Sequence, residues 1–410
     1  MKKLELLAPV GDKERLEAAV YFGADAVYFA GKKFGLRALA RKIFMASNFD
    51  ENEIKEAVEF CHEHNVKVYI TVNILAHNAD FIGMVDYLKY LDSVHVDGVI
   101  VSDLGIAHLV KEYTNLELHV STQANITNKE SAKIWVKLGA KRLVLARELN
   151  VQEIKEIKEA VGENIDIECF CHGAMCISYS GRCLLSNYFV GRDSNRGACA
   201  QPCRWNYALY SKNEQNPIDE YFPVEEDARG TYILNSKDMC LIEHIKELSE
   251  AGIVSFKIEG RMKSTYYVAT VVNAYRRAID NYLDNKEPDF DYIKELQKTS
   301  NRSFTTGFYF NSNQKTNKDS SLLAQTYDYV AIVVEDAKDG FVQVEHRNKF
   351  IVGDELEVLS PSDCFCKKIK VEEVKDENGI LLQEIKKVKQ RVWIKTDLPL
   401  RKNDILRKKK

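Results

Sequence analysis

No stretch of the sequence approaches the ~20 consecutive apolar residues of a membrane-spanning helix. Charge of one sign is missing too: 58 Lys and Arg stand against 61 Asp and Glu, a net charge of −3. The first absence excludes a helical membrane protein. The second excludes a global basic field of the kind that gathers nucleic acid. The apolar stretch within Met1–Leu7 is too short for a secretory signal before Pro9, Gly11 and Asp12, so a cytoplasmic location is expected. In that compartment ten cysteines are expected to be reduced rather than paired into a disulfide framework. No Gly-x-Gly-x-x-Gly follows the first strand, which leaves a dinucleotide-binding sheet without support. Peptidase motifs are also lacking: there is no His-Glu-x-x-His, no paired-Asp motif and no recognisable Ser-His-Asp set.

What is present is an ordinary globular balance, 45% apolar and 29% charged, which excludes disordered and collagen-like chains. Apolar strand-like runs alternate with amphipathic helical stretches. The runs lie at 4–8, 26–29, 67–73, 98–101, 118–121, 142–145, 165–169 and 254–258. Helices are expected over about 12–22, from near Asp50 and over about 265–282. Eight βα units in series predict an α/β fold, a (β/α)8 TIM-like barrel, over residues 1–285. The seventh unit is interrupted by a long cysteine-rich insertion, residues 169–240. Residues 286–325 are polar and irregular and read as a linker region, with one helical stretch near 292–296. From 326 to 410 the chain alternates at period two, punctuated by Gly340, Gly353 and Gly379, which predicts a small C-terminal β-barrel domain. From Lys367 to Lys410 there are 15 Lys and Arg against seven Asp and Glu. On charge alone that end reads as a solvated face and a frayed tail.

Chemistry in such barrels sits at the C-terminal strand ends. Here those ends are polar: Asn73 on strand three, Gln123 and Asn125 on strand five, Arg147 on strand six and His172 on strand seven. Strand eight ends Lys257-Ile258-Glu259-Gly260-Arg261-Met262-Lys263. Charges there must be paired or used, because buried unpaired charge is costly. Lys257, Glu259 and Arg261 are the candidate catalytic group. Gln123, Asn125, Arg147, His172 and Lys263 are candidates for holding a polar, anionic substrate.

Six of the ten cysteines fall between Cys169 and Cys203. Such density in a reduced compartment points to metal or redox chemistry. The spacing of Cys176, Cys183, Cys199 and Cys203 matches neither a zinc ribbon nor a bacterial ferredoxin run. Four irregularly spaced thiolates suit an iron–sulfur cluster, with Arg182 and Arg204 beside two of them to offset its negative charge. Structural zinc and a redox disulfide are the rivals. Cys169 and Cys171, two apart on a strand, share a face and read as core packing, as do Cys61, Cys240 and the pair Cys364 and Cys366.

The string His172-Gly-Ala-Met-Cys176-Ile-Ser-Tyr-Ser-Gly-Arg-Cys183 resembles the signature of the collagenase-like peptidase family, the U32 type. So do Leu7–Gly11, Gly23–Tyr28, Val120–Asn125, Asn235–Asp238 and Lys257–Arg261. Within it, the chain is most similar to the prephenate-dependent tRNA hydroxylation proteins, and Cys199 and Cys203 before Arg204-Trp205 carry that likeness. The resemblance implies a TIM-like barrel, an iron–sulfur cluster of the [4Fe-4S] kind and formation of 5-hydroxyuridine at the tRNA wobble position. It also implies tRNA as partner, prephenate as a small anionic co-substrate and a partner subunit from the same family. It offers no counterpart to Cys240, which stays outside the ligand set. Two other readings stand beside it: a peptidase acting on collagen-like substrates, and a non-catalytic RNA binder in which the metal only staples the insertion.

Overall fold

A computed structural model describes residues 4–32, 34, 48–205, 207, 210–212, 221–223, 236–310 and 323–410. Asn235 and residues 311–322 of the expected linker lie outside the described residues.

The eight expected strands form, and they close. They are Glu5–Pro9, Ala26–Phe29, Lys67–Val72, Gly98–Val101, Glu117–Val120, Arg142–Val144, Asp166–Ala174 and Ile253–Ile258. Each pairs in parallel with the next, and the eighth pairs with both the seventh and the first. Strands covered on both faces carry near-continuous apolar runs; Ala26–Phe29 and Gly98–Val101 are buried throughout. Helices follow the strands and start on sequence-encoded caps. Asp50 and Glu53 form a reciprocal capping box, as do Asn150 and Glu153.

The interior of the barrel is not purely apolar. Arg142 is buried and reaches Glu5 (3.2 Å), Glu168 (3.2 Å) and Asp166 (3.3 Å). Glu168, fully buried, also accepts from Lys257 Nζ at 2.6 Å. His119 is buried beside the Tyr69 ring, with their centroids 4.6 Å apart. These groups come from strands one, three, five, six, seven and eight, so they tie the barrel together across its axis.

The seventh strand extends to Ala174, five residues beyond its expected end. Its free edge is covered there by the returning strand Asp238–Cys240, which runs antiparallel with Asp238 opposite Ala174 and Cys240 opposite His172. The short strand Phe304–Thr305 pairs in turn with Asp238–Met239. Arg302 donates from its backbone to Asp238 at 3.0 Å.

The chain divides into two compact units. The first holds all eight barrel strands and the cysteine-rich insertion. The second holds the helices Lys13–Tyr21 and Thr265–Leu283 together with the C-terminal domain. That domain is antiparallel β, as its alternation predicted. Seven strands between Tyr327 and Lys409 form its main sheet over a core that includes Val330, Val344, Phe350, Leu356 and Ile394.

The basic end is a solvated face over most of its length, as its charge predicts, but its last residues are not a frayed tail. Ile405–Lys409 is an interior strand, paired on one side with Tyr327–Lys338 and on the other with Glu355–Leu359. Arg407 is fully buried and grips Glu295 with two hydrogen bonds of 2.6 and 2.9 Å; its Nε donates to Glu357 at 2.9 Å. Lys298 completes this centre with bonds to Glu295 (2.7 Å) and Glu357 (2.6 Å). Glu295, Glu357 and Cys366 are close enough to hold an ion, yet Arg407 and Lys298 already neutralise both carboxylates.

Candidate functional site

The cysteine-rich insertion leaves the barrel at the C-terminal end of strand seven. Gly173 makes the exit possible. Its φ is +109°, and a Cβ there would lie 2.6 Å from the backbone oxygen of Glu259. The close approach is held by the Glu259 amide, which donates to the His172 carbonyl at 2.8 Å.

Cys176 is exposed, while Cys183, Cys199 and Cys203 are half-buried. All ten cysteines are free thiols. Burial pushes the Cys203 thiol up, Arg204 pulls it down, and Cys176, Cys199 and Cys183 each push it further up. The four sulfurs therefore share one electrostatic neighbourhood. They are not tightly clustered: among the described residues, no three of them lie within 4.8 Å of one another. Local bonds shape the loops that present them. The Gln201 amide donates to Cys199 Sγ at 3.3 Å, and the buried Ser186 hydroxyl accepts from the Ala200 amide at 2.9 Å.

Two contacts fasten the insertion to the barrel mouth. Arg147, at the end of strand six, donates to the Ala174 carbonyl (2.9 Å) and Ser180 Oγ (2.7 Å). Burial works against its charge, but Cys176 and the nearby Glu148 and Glu259 more than compensate, so its pKa rises. On the other side, Arg196 grips Asp80 in the loop after strand three with bonds of 2.7 and 2.8 Å. Hydrogen bonding to Arg196 is the main cause that holds the Asp80 carboxyl at about 2. A depressed carboxylate contributes stability at neutral pH that is lost as pH falls through its folded value. The grip is thus expected to fail between about pH 4 and pH 2. Asp80→Asn should remove that acid step and leave residues 176–205 more open to protease at pH 7. Equal cleavage of both proteins at neutral pH would refute the clamp.

Family models match most of the chain. Residues 11–319 match Peptidase family U32, and residues 325–407 match the Peptidase family U32 C-terminal domain. The chain belongs to peptidase family U32. Among its U32 relatives is tRNA hydroxylation protein P1 of Bacillus subtilis, 42% identical over all of this chain and 96% of that one. The tRNA hydroxylation protein P of Escherichia coli is 33% identical over 88% of this chain and 87% of its own length. A collagenase of Porphyromonas gingivalis is 31% identical over 98% of this chain and 97% of its own.

On this U32 barrel the remaining candidates divide. The Gln123 side chain lies under the insertion: a Cβ on Gly181 would sit 3.0 Å from its Nε2. Asn125, in the left-handed region at φ 54°, donates to the Gln123 carbonyl at 2.7 Å. Gln123 Oε1, Asn125 Oδ1 and Asn73 Oδ1 are buried amide oxygens without a hydrogen-bond partner among the described residues. Arg261 is buried and donates to Thr71 Oγ1 (3.3 Å) and Asn48 Oδ1 (3.2 Å). His172 is buried, with its ring 5.6 Å from that of Phe304.

Lys257 sits deeper. Its amine faces the Tyr28 ring at 4.3 Å and is paired with Glu168. Burial lowers its pKa although Glu168 opposes that. Lys263 belongs to the second unit, where its amine donates to the Ser300 carbonyl at 3.1 Å. Cys169, Cys171 and Cys240, read as core packing, are all buried, and the Cys171 thiol donates to the Lys257 carbonyl at 3.4 Å. Phe170 lies over Arg147 and Lys257, so its neighbours at 169 and 171 take the opposite face of the strand. Arg142, Glu168 and Asp80 did not stand out in the sequence. Arg142 and Glu168 carried a signal, as charges within otherwise apolar strands; Asp80 carried none.

Proposed function

We propose that this chain is an RNA-modifying enzyme that forms 5-hydroxyuridine at the wobble position of tRNA. In this reading the reaction depends on prephenate, and Cys176, Cys183, Cys199 and Cys203 hold an iron–sulfur cluster. The observation that carries it is the shared neighbourhood of four cysteines outside any disulfide at the barrel mouth. Full-length similarity to a tRNA hydroxylation protein supports the substrate.

The donor set fits the group. Four cysteine thiols that sense one another are the ligand set such clusters take, and Arg182 and Arg204 stand beside two of them in sequence to offset the negative charge. When bound, such a cluster supplies redox chemistry beside the mouth. The chain's own residues do the rest. Arg147 braces the segment leading to Cys176 and adds positive charge next to a thiolate. Arg261, a buried guanidinium that donates to Thr71 and Asn48, is the residue assigned to a carboxylate of the co-substrate. The amide oxygens of Asn73, Gln123 and Asn125 accept N–H donors from a polar ligand. Lys257 is neutralised by Glu168 and supports the interior.

Deleting the gene and measuring 5-hydroxyuridine derivatives in tRNA by mass spectrometry tests the proposal. Their loss is expected; unchanged levels in a strain without a paralogue would sink it. The similarity to a collagenase favours a peptidase as the second reading. Against it, the Cys171 thiol is turned to the Lys257 carbonyl while the His172 ring lies beside that of Phe304. Cleavage of gelatin by anaerobically purified protein would revive it.

A further inference from the structure

Seven of the 21 exposed large apolar side chains among the described residues fall within residues 177–205. Tyr188 is 83% exposed, and Tyr179, Leu184, Phe189 and Trp205 are each more than a third exposed. Three of the rings form a row. Tyr188 and Phe189 have centroids 5.5 Å apart, and Phe189 and Trp205 6.1 Å apart. The helix Leu185–Val190 presents the first two, and its buried Ser186 anchors it from beneath.

The charges on the segment that bears this row are uneven as well. Residues 176–205 contain four arginines, one aspartate, no lysine and no glutamate, in a chain whose net charge is −3. Arg196 is engaged by Asp80. Arg182 is exposed, and Arg204 is held at the surface by the Gln201 carboxamide at 3.0 Å. Neither forms an ion pair among the described residues.

We infer that this face binds unpaired RNA nucleotides, with bases stacked on Tyr188, Phe189 and Trp205 and phosphates against Arg182 and Arg204. Exposed rings accept any base face, and guanidinium groups match phosphate geometry. The cation excess is what selects RNA over a protein partner, whose interface would bring both signs of charge. The face lies on the same 30 residues as the four cysteines, so it would deliver a single-stranded loop to the mouth. The inference rests on the proposed RNA substrate and adds which form of RNA is held and where.

The test uses full-length protein prepared anaerobically and a fluorescein-labelled RNA hairpin with a single-stranded loop. A blunt duplex of the same stem sequence is the comparison. The hairpin should bind more tightly and quench Trp205 fluorescence. Tyr188→Ala and Trp205→Ala should each weaken hairpin binding by about 5- to 150-fold, from ~1–3 kcal/mol per stacked base. Tyr188→Phe should restore it. Arg182→Gln should reduce the salt dependence by about 0.7 in log–log slope. Unchanged hairpin affinity in the Tyr188→Ala/Trp205→Ala protein, with normal iron content, overturns the inference. So does a wild-type dimer that the double substitution dissolves without altering RNA binding. If the hairpin binds as described but no hydroxylation is found in cells, the function fails and the surface stands. If hydroxylation is found but the variants bind the hairpin as wild type does, the function stands and the surface fails.

Discussion

A Cys199→Ala/Cys203→Ala protein, purified without oxygen, is expected to lose its iron and sulfide and to make no 5-hydroxyuridine. Cys203 senses the other three sulfurs, so the double change removes half of one shared donor set. Losing an outer partner of a metal ligand already costs about 10–100-fold in affinity; losing two ligands should exceed that. Because ligand binding and loop order are coupled, residues 176–205 should also become protease-sensitive. Cys61→Ala and Cys364→Ala are the contrast. Both positions are buried, Cys364 within the C-terminal core. Their loss should leave metal content intact and cost only packing. Iron and sulfide at wild-type levels in the double variant would end the assignment. One zinc per wild-type chain without sulfide would end it as well.

Arg142→Leu is expected to lower the free energy of unfolding by about 3–5 kcal/mol, the cost of leaving buried charge uncompensated. The guanidinium serves Glu5, Asp166 and Glu168, and Glu168 has no exposed surface at all. Arg142→Lys should recover only part, since an ammonium cannot span three carboxylates as a planar fork does. The deficit has a pH signature. Burial pushes the Glu168 carboxyl up, but Lys257 and Arg142 outweigh it and hold its pKa below the usual carboxylate range. That stabilisation is complete above the ordinary value of about 4.3 and fades as pH falls through the lowered one. The gap between wild type and variant in urea unfolding should therefore be widest near pH 7 and narrow in acid. A deficit under about 1 kcal/mol, the scale of a surface pair, would mean that water reaches these carboxylates.

The barrel was legible because its signals are local. Each strand is a short apolar run, and several helices announce their starts, as Asp50 and Asn150 do three residues before a glutamate. The cysteine set was legible through density. What escaped was long-range pairing. Arg407 looks like the start of a basic tail, and only Glu295 and Glu357, 112 and 50 residues away, make it a core residue. Lys257 and Arg261 both look like mouth cations by position. Lys257 lies within the strand and pairs with Glu168, whereas Arg261 lies beyond the strand's end. The length of strand seven depended on a partner strand that arrives more than 60 residues later, beyond the reach of any periodicity.

That partner strand has an architectural consequence. The insertion departs at Ala174 and comes back at Asp238, and those two residues face each other in one antiparallel pair. Both ends of a segment of some 60 residues are thus only about 5 Å apart, the spacing an ordinary hairpin turn bridges. The barrel sees the same boundary whatever lies between. Doubling the length of such an excursion costs only about 0.6 kcal/mol of closure entropy. The segment is therefore joined as a cassette: its length can vary at small closure cost, while Arg147 and Arg196 fasten what it carries to the mouth.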